Sequence, residues 1–241
     1  VKPPTLRDLV KAGGDLESSI KRLVQTGFTP EEIEWKTGIP YYLIRLLLAG
    51  KPPKNPTPFM SVVETYERLA TLRSKKGKET ELAKFFRRGD LRLEVKVRLA
   101  LGRVSDEPLK VGPGLIERAL SLATGEPIRR VRSLLLDYGE LGEVAYLLTP
   151  AREARLTVDE VYEAIRLLPE LERLEERERH IASLLRTGSP GEAKYIIRLM
   201  LGDLKLGYSD QTVVRAAARA YGVSPTLLQE ACAVLGLAEG V

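Results

Sequence analysis

The chain is poor in the residues that most enzymes use for chemistry: among 241 residues there is one cysteine, Cys232, and one histidine, His180. A single cysteine excludes an internal disulfide and any multi-cysteine zinc site. It lies in the apolar run 231–235, where a buried, inert thiol is expected. The histidine ends the charged stretch EERERH (175–180) and reads as a solvated helix residue. These counts leave no Ser/His/Asp triad, no Cys/His dyad and no His-based metal site, so any chemistry would have to rest on carboxylates, lysines and hydroxyls; no catalytic residue and no cofactor is expected. A Walker-type phosphate loop is missing too, because neither Gly50-Lys51 nor Gly77-Lys78 has a glycine five residues earlier. No run of 18 apolar residues and no charged-then-apolar leader is found, so the expected state is soluble and cytoplasmic, with no membrane partner. Amides are scarce (Asn55, Gln25, Gln211 and Gln229) beside abundant Glu and Arg, a composition that leans towards a hyperthermophile.

What is present is positive charge in one place. The formal net charge is +5, while residues 71–110 alone carry twelve Lys/Arg against six Asp/Glu. Concentrated positive charge attracts a polyanion, and in a cytoplasm that is nucleic acid, because neutralised phosphates release condensed counterions. A solvated helix face of a thermophile protein explains the same excess. Carboxylate pairs such as Asp159/Glu163 and Glu175/Glu178 read as solvating charges on exposed helices, not magnesium ligands.

Nearly every segment repeats its apolar residues at a period near 3.6, and no alternating strand pattern bounded by hairpin turns occurs, so the fold class is all-α. The stretch KPPKNPTP (51–58) holds four prolines in eight residues. It is expected to be an extended spacer about 20 to 25 Å long, separating a small unit (1–50) from a larger one (59–241). In the small unit Thr29, Pro30 and Glu32 form a helix start with a capping box, and Gly38 suits a tight turn before the next helix. Helix, short turn and helix resemble a helix-turn-helix, with Ile33, Ile39, Leu43, Ile44 and Leu47 as core. Its second helix then presents Tyr41, Tyr42 and Arg45 to a major groove. That helix has one basic residue, and Leu46 and Leu48 broaden its apolar face, which suits a protein-docking module equally well.

The larger unit carries, in order, FMSVVETYERL (59–69), LRSKK (72–76), ETELAKFF (79–86), LALGRV (99–104), GLIERALSLATG (114–125), GELGEVA (139–145), LTVDEVY (156–162) and EAKYIIRLMLGDLKLG (192–207). In this order the segments resemble the N-terminal DNA-binding domain of archaeal and eukaryotic-type ATP-dependent DNA ligases, over roughly three quarters of the chain. The resemblance implies a partner, double-stranded or nicked DNA, held through its backbone and minor groove, and a place beside a replication or repair protein. It implies phosphate contacts from Ser74, Lys75 and Lys76, from the turn Gly139, Leu141 and Gly142, and from Lys194, Arg198, Gly202, Lys205 and Gly207. Two departures stand out. Asp203 occupies a place that can be basic in the family, and the charged run 170–179 replaces a glycine-serine-rich loop.

Glycine-bracketed turns let backbone N–H groups approach a phosphate, although a glycine also simply ends a helix. A short internal repeat pairs Arg118, Ala119, Gly125 and Pro127 with Arg215, Ala216, Gly222 and Pro225. Each set is followed by an apolar helix and a Leu-Gly ending, at 141–142 and 235–236. Two similar halves suit duplex DNA, and the ligase domain it resembles has pseudo-two-fold symmetry. The adenylation motif Lys-x-Asp-Gly of ligases cannot be present, because the chain has no Asp-Gly dipeptide. The chain is therefore read as non-catalytic: a ligase fragment, or a stand-alone protein that reuses the domain, the small unit favouring the second. A sequence-specific regulator and a helical adaptor stay open as other functions, as does the oligomeric state.

Overall fold

The computed structural model describes residues 15–235. Among these residues there are fourteen α-helices, one 3-10 turn (Leu168–Glu170) and no β-strand, in agreement with an all-α class. Gly236, the second Leu-Gly ending of the internal repeat, lies outside them.

The first three helices are α1 (Leu16–Gln25), α2 (Pro30–Thr37) and α3 (Tyr41–Leu48). Asp15 caps α1, accepting from Ser18 N–H. Thr29 and Glu32 close the capping box of α2, and Gly38 ends that helix at φ +73°. Each device satisfies amide or carbonyl groups that a helix end leaves open. Ile20, Leu23, Ile33, Ile39, Ile44 and Leu47 form a small core, with Leu43 packed partly against it.

The prolines of residues 51–58 do exclude a helix, but the segment is a strap laid on the larger unit, not a free spacer. Asp159 accepts from the amides of Lys54 and Asn55 at 3.0 and 2.8 Å. Thr57 O accepts from Val158 N–H, and Phe59 N–H donates to Leu156 O, both at 2.8 Å. Asp159 is thus buried and occupied, not a solvating charge.

The larger unit contains α4 (Met60–Thr71), α5 (Lys75–Phe86), α6 (Leu93–Leu101), α7 (Pro113–Thr124), α8 (Ile128–Tyr138), α9 (Leu141–Leu148), α10 (Val158–Leu167), α11 (Leu174–Thr187), α12 (Pro190–Leu201), α13 (Asp210–Tyr221) and α14 (Pro225–Leu235). Its main packed pairs are α9 with α12, α5 with α13, and α7 with α11. One apolar core runs through them, and Tyr42 and Leu46 of α3 belong to it. Burying such side chains is the main favourable term holding the helices together. His180 departs from the sequence expectation: it is fully buried on α11, its Nε2 2.9 Å from Ala164 O. Cys232 is half-buried on α14, and burial pushes its thiol up.

Candidate nucleic-acid interface

The α5 N-terminus is built from Ser74, whose Oγ accepts from Gly77 N–H at 3.0 Å, leaving the hydroxyl proton to donate outward. Lys75 and Lys76 open the helix, Arg73 precedes it, and the first turn carries no acidic residue. Arg73, Lys75 and Lys76 are exposed and make no ion pair among the described residues. A helix N-terminus has partial positive charge, so three cations there repel the dipole unless an anion binds.

Four residues later Lys78 is buried, and its Nζ donates to Leu206 O at 2.5 Å and Gly207 O at 3.1 Å. This clamp fixes the turn 202–207 against α5. Gly202 ends α12 at φ +71°, Leu204 and Leu206 point into the core, and Lys205 between them is exposed at φ +56°. The left-handed region is unfavourable for a residue with a Cβ. Lys205 Nζ lies 2.6 Å from Asp203 Oδ2, which raises the lysine and lowers the carboxyl from their ordinary values.

The turn after α8 behaves differently. Gly139 is exposed at φ +77°, as a helix stop requires. Leu141 is buried, and a Cβ on Gly142 would sit 3.1 Å from Lys194 O and from Arg198 Cγ. Gly142 therefore lets α9 lie close on α12, a packing role. Arg198 is buried and clamps Glu140 at 2.5 Å and Glu143 at 3.1 Å. Lys194 bridges Glu143 and Glu67 at 3.0 and 3.2 Å. Both cations are thus occupied by carboxylates, and they tie the 139–142 turn to α12 and α4. Arg73, Lys75 and Lys76 at the α5 N-terminus, by contrast, are unpaired among the described residues, and Lys205, paired only with the exposed Asp203, lies in the turn that Lys78 clamps to that helix.

A family model described as "DNA ligase N terminus" matches residues 58–218. The chain belongs to the DNA ligase N-terminus family. DNA ligase 1 of Methanosarcina acetivorans is 33% identical over 174 residues, covering 68% of this chain and 30% of that protein. The DNA ligases of Nanoarchaeum equitans and Methanopyrus kandleri are each 30% identical, over 73% and 72% of this chain and 34% of each relative. The chain thus spans about a third of the length of these ligases.

The family match begins at Pro58, after the three helices that resemble a helix-turn-helix, and α3 turns its two tyrosines inward. Tyr41 and Tyr42 are buried, contrary to the sequence expectation. Tyr42 hydroxyl donates to Glu160 Oε1 at 3.0 Å, and Arg179 lies over the Tyr41 ring at 5.7 Å. Arg45 pairs with Glu176 at 3.8 Å. The apolar face of α3 that suggested a protein partner is covered by α10 and α11 of the same chain. Sequence reasoning missed Lys78, since nothing local separates a buried lysine from the exposed Lys75 and Lys76 beside it. No helix among the described residues is long and apolar enough to cross a membrane.

Proposed function

We propose that this ligase-family chain binds double-stranded or nicked DNA through the phosphate backbone and minor groove, without catalysing the sealing step itself. The observation that carries the proposal is the junction of the free cations Arg73, Lys75 and Lys76 with the Lys205 turn, clamped together by Lys78. Lysine and arginine side chains, a capping hydroxyl and a helix N-terminus grip phosphates without reading bases. The relatives are named DNA ligases, which supports a DNA-holding part of that activity. No Asp-Gly dipeptide occurs among these 241 residues, so the Lys-x-Asp-Gly adenylation motif is not among them. A cytoplasmic replication or repair setting agrees with that assignment. Sequence-selective regulation through α3 is disfavoured by the burial of Tyr41 and Tyr42.

Charge reversal tests the site. Converting Lys75 and Lys76 to Glu is expected to weaken binding to intact and nicked duplex by at least about tenfold while leaving the melting temperature unchanged, since both side chains are exposed. Unchanged affinity in a fluorescence-anisotropy titration would remove the α5 N-terminus from the interface.

A further inference from the structure

Among the described residues, two non-glycine residues have positive φ, and both are lysines: Lys110 at +54° and Lys205 at +56°. Each is the second residue of nearly the same tetrapeptide, Leu109-Lys110-Val111-Gly112 and Leu204-Lys205-Leu206-Gly207. In both, the flanking apolar side chains pack on the core and the lysine is exposed.

The surroundings repeat as well. Both α6 and α12 end in a left-handed glycine, Gly102 at φ +68° and Gly202 at φ +71°. After each glycine the next amide returns to an arginine carbonyl at 3.0 Å, Arg103 N–H to Arg98 O and Asp203 N–H to Arg198 O. Both arginine side chains are held by carboxylates, Arg98 by Asp106 and Arg198 by Glu140. After each turn comes a helix closed by a left-handed glycine, α7 by Gly125 and α13 by Gly222, followed by α8 and α14.

Each turn also has backbone carbonyl oxygen held by a cation from the helix that packs on the next one, one carbonyl in the first turn and two in the second. Lys78 of α5 holds the second turn and α5 packs on α13; Arg177 of α11 donates to Lys110 O at 3.0 Å and α11 packs on α7. The loops differ in length, spanning 103–112 and 203–209, and the first turn of α11 is acidic where that of α5 is not.

A lysine in the left-handed region carries strain that glycine would relieve. Its occurrence twice, in one tetrapeptide and one framework, points to a charge that both turns use. We propose that Lys110 and its turn form a second phosphate-binding site, the mate of the Lys205 turn in the other half of the molecule, taking a backbone phosphate of the same duplex. This rests on the DNA-binding proposal above. Among the described residues Lys110 Nζ donates to Pro169 O alone, at 3.3 Å, a contact that a phosphate oxygen can replace.

The test uses the full chain with Lys110→Ala, Lys110→Gly, Lys110→Arg and Lys205→Ala, titrated with one intact duplex at several salt concentrations. Lys110→Ala and Lys110→Gly are expected to weaken binding about three- to tenfold and to lower the slope of log affinity against log salt by about one. Lys110→Arg keeps near wild-type affinity. Lys110→Gly, free of backbone strain, keeps or raises the melting temperature while still losing affinity, which a purely structural lysine would not do. If Lys205→Ala weakens binding and the Lys110 variants keep both affinity and slope, the second site is overturned and the DNA-binding proposal stands. If wild-type chain binds no duplex, both fall.

Discussion

His180 shows how far one buried residue can depart from the look of its neighbours. Five charged residues precede it, yet it faces the core, and burial pushes its imidazole down to about 4. Its Nδ1 has no hydrogen-bond partner, so the neutral ring is the form the fold accepts. Because the folded pKa lies below the unfolded value of about 6.5, the unfolded chain binds the extra proton between those values. Stability from this residue is complete above pH 6.5 and is lost as pH falls towards 4, at up to about 1.4 kcal/mol per pH unit. His180→Gln, which does not titrate, is expected to flatten the difference in urea midpoint between pH 7 and pH 4.5. Parallel pH curves for wild type and variant would show that His180 does not titrate in this range.

At the scale of elements, the docking of α3 decides whether the three-helix segment is an appendage or part of the fold. Leu46 and Tyr42 lie in the core of the larger unit, and Arg179–Glu31 and Arg186–Glu34 ion pairs flank them at 2.9 and 3.2 Å. The pairs are partly exposed and add little, so the apolar contacts dominate. Leu46→Ala is expected to cost about 2 to 5 kcal/mol and Tyr42→Phe about 1 kcal/mol, with one cooperative transition in calorimetry. A separate early transition for the N-terminal helices, with the main one unmoved by Leu46→Ala, would show that the segment folds independently.

Thr29, Glu32 and Gly38 were legible because caps act over three or four residues. An amphipathic period says that a face of α3 is buried, not what buries it. Groove reading by Tyr41 and Tyr42 and docking onto α10 and α11 leave the same local pattern. The candidate interface was legible as charge density over residues 71–110, but its wiring was not. The carboxylates that occupy Arg198 lie 58 and 55 residues away, and the carbonyls held by Lys78 lie 128 and 129 away.

For the whole molecule, two halves of the larger unit with similar helix order surround one continuous core, and the first three helices add a smaller core of their own. Most buried cations are matched by carboxylates or carbonyls, so the positive excess that remains lies at the surface, where a polyelectrolyte can use it. Binding through backbone phosphates makes affinity a function of salt before it is a function of sequence. The most direct test is an anisotropy titration of the 241-residue chain against intact, nicked and single-stranded DNA of one sequence, each from about 50 to 200 mM salt. Backbone gripping predicts tight duplex or nicked-duplex binding that falls steeply and linearly in log salt and is unchanged when the base sequence is scrambled. No duplex binding at low salt, or affinity that ignores salt, would contradict it.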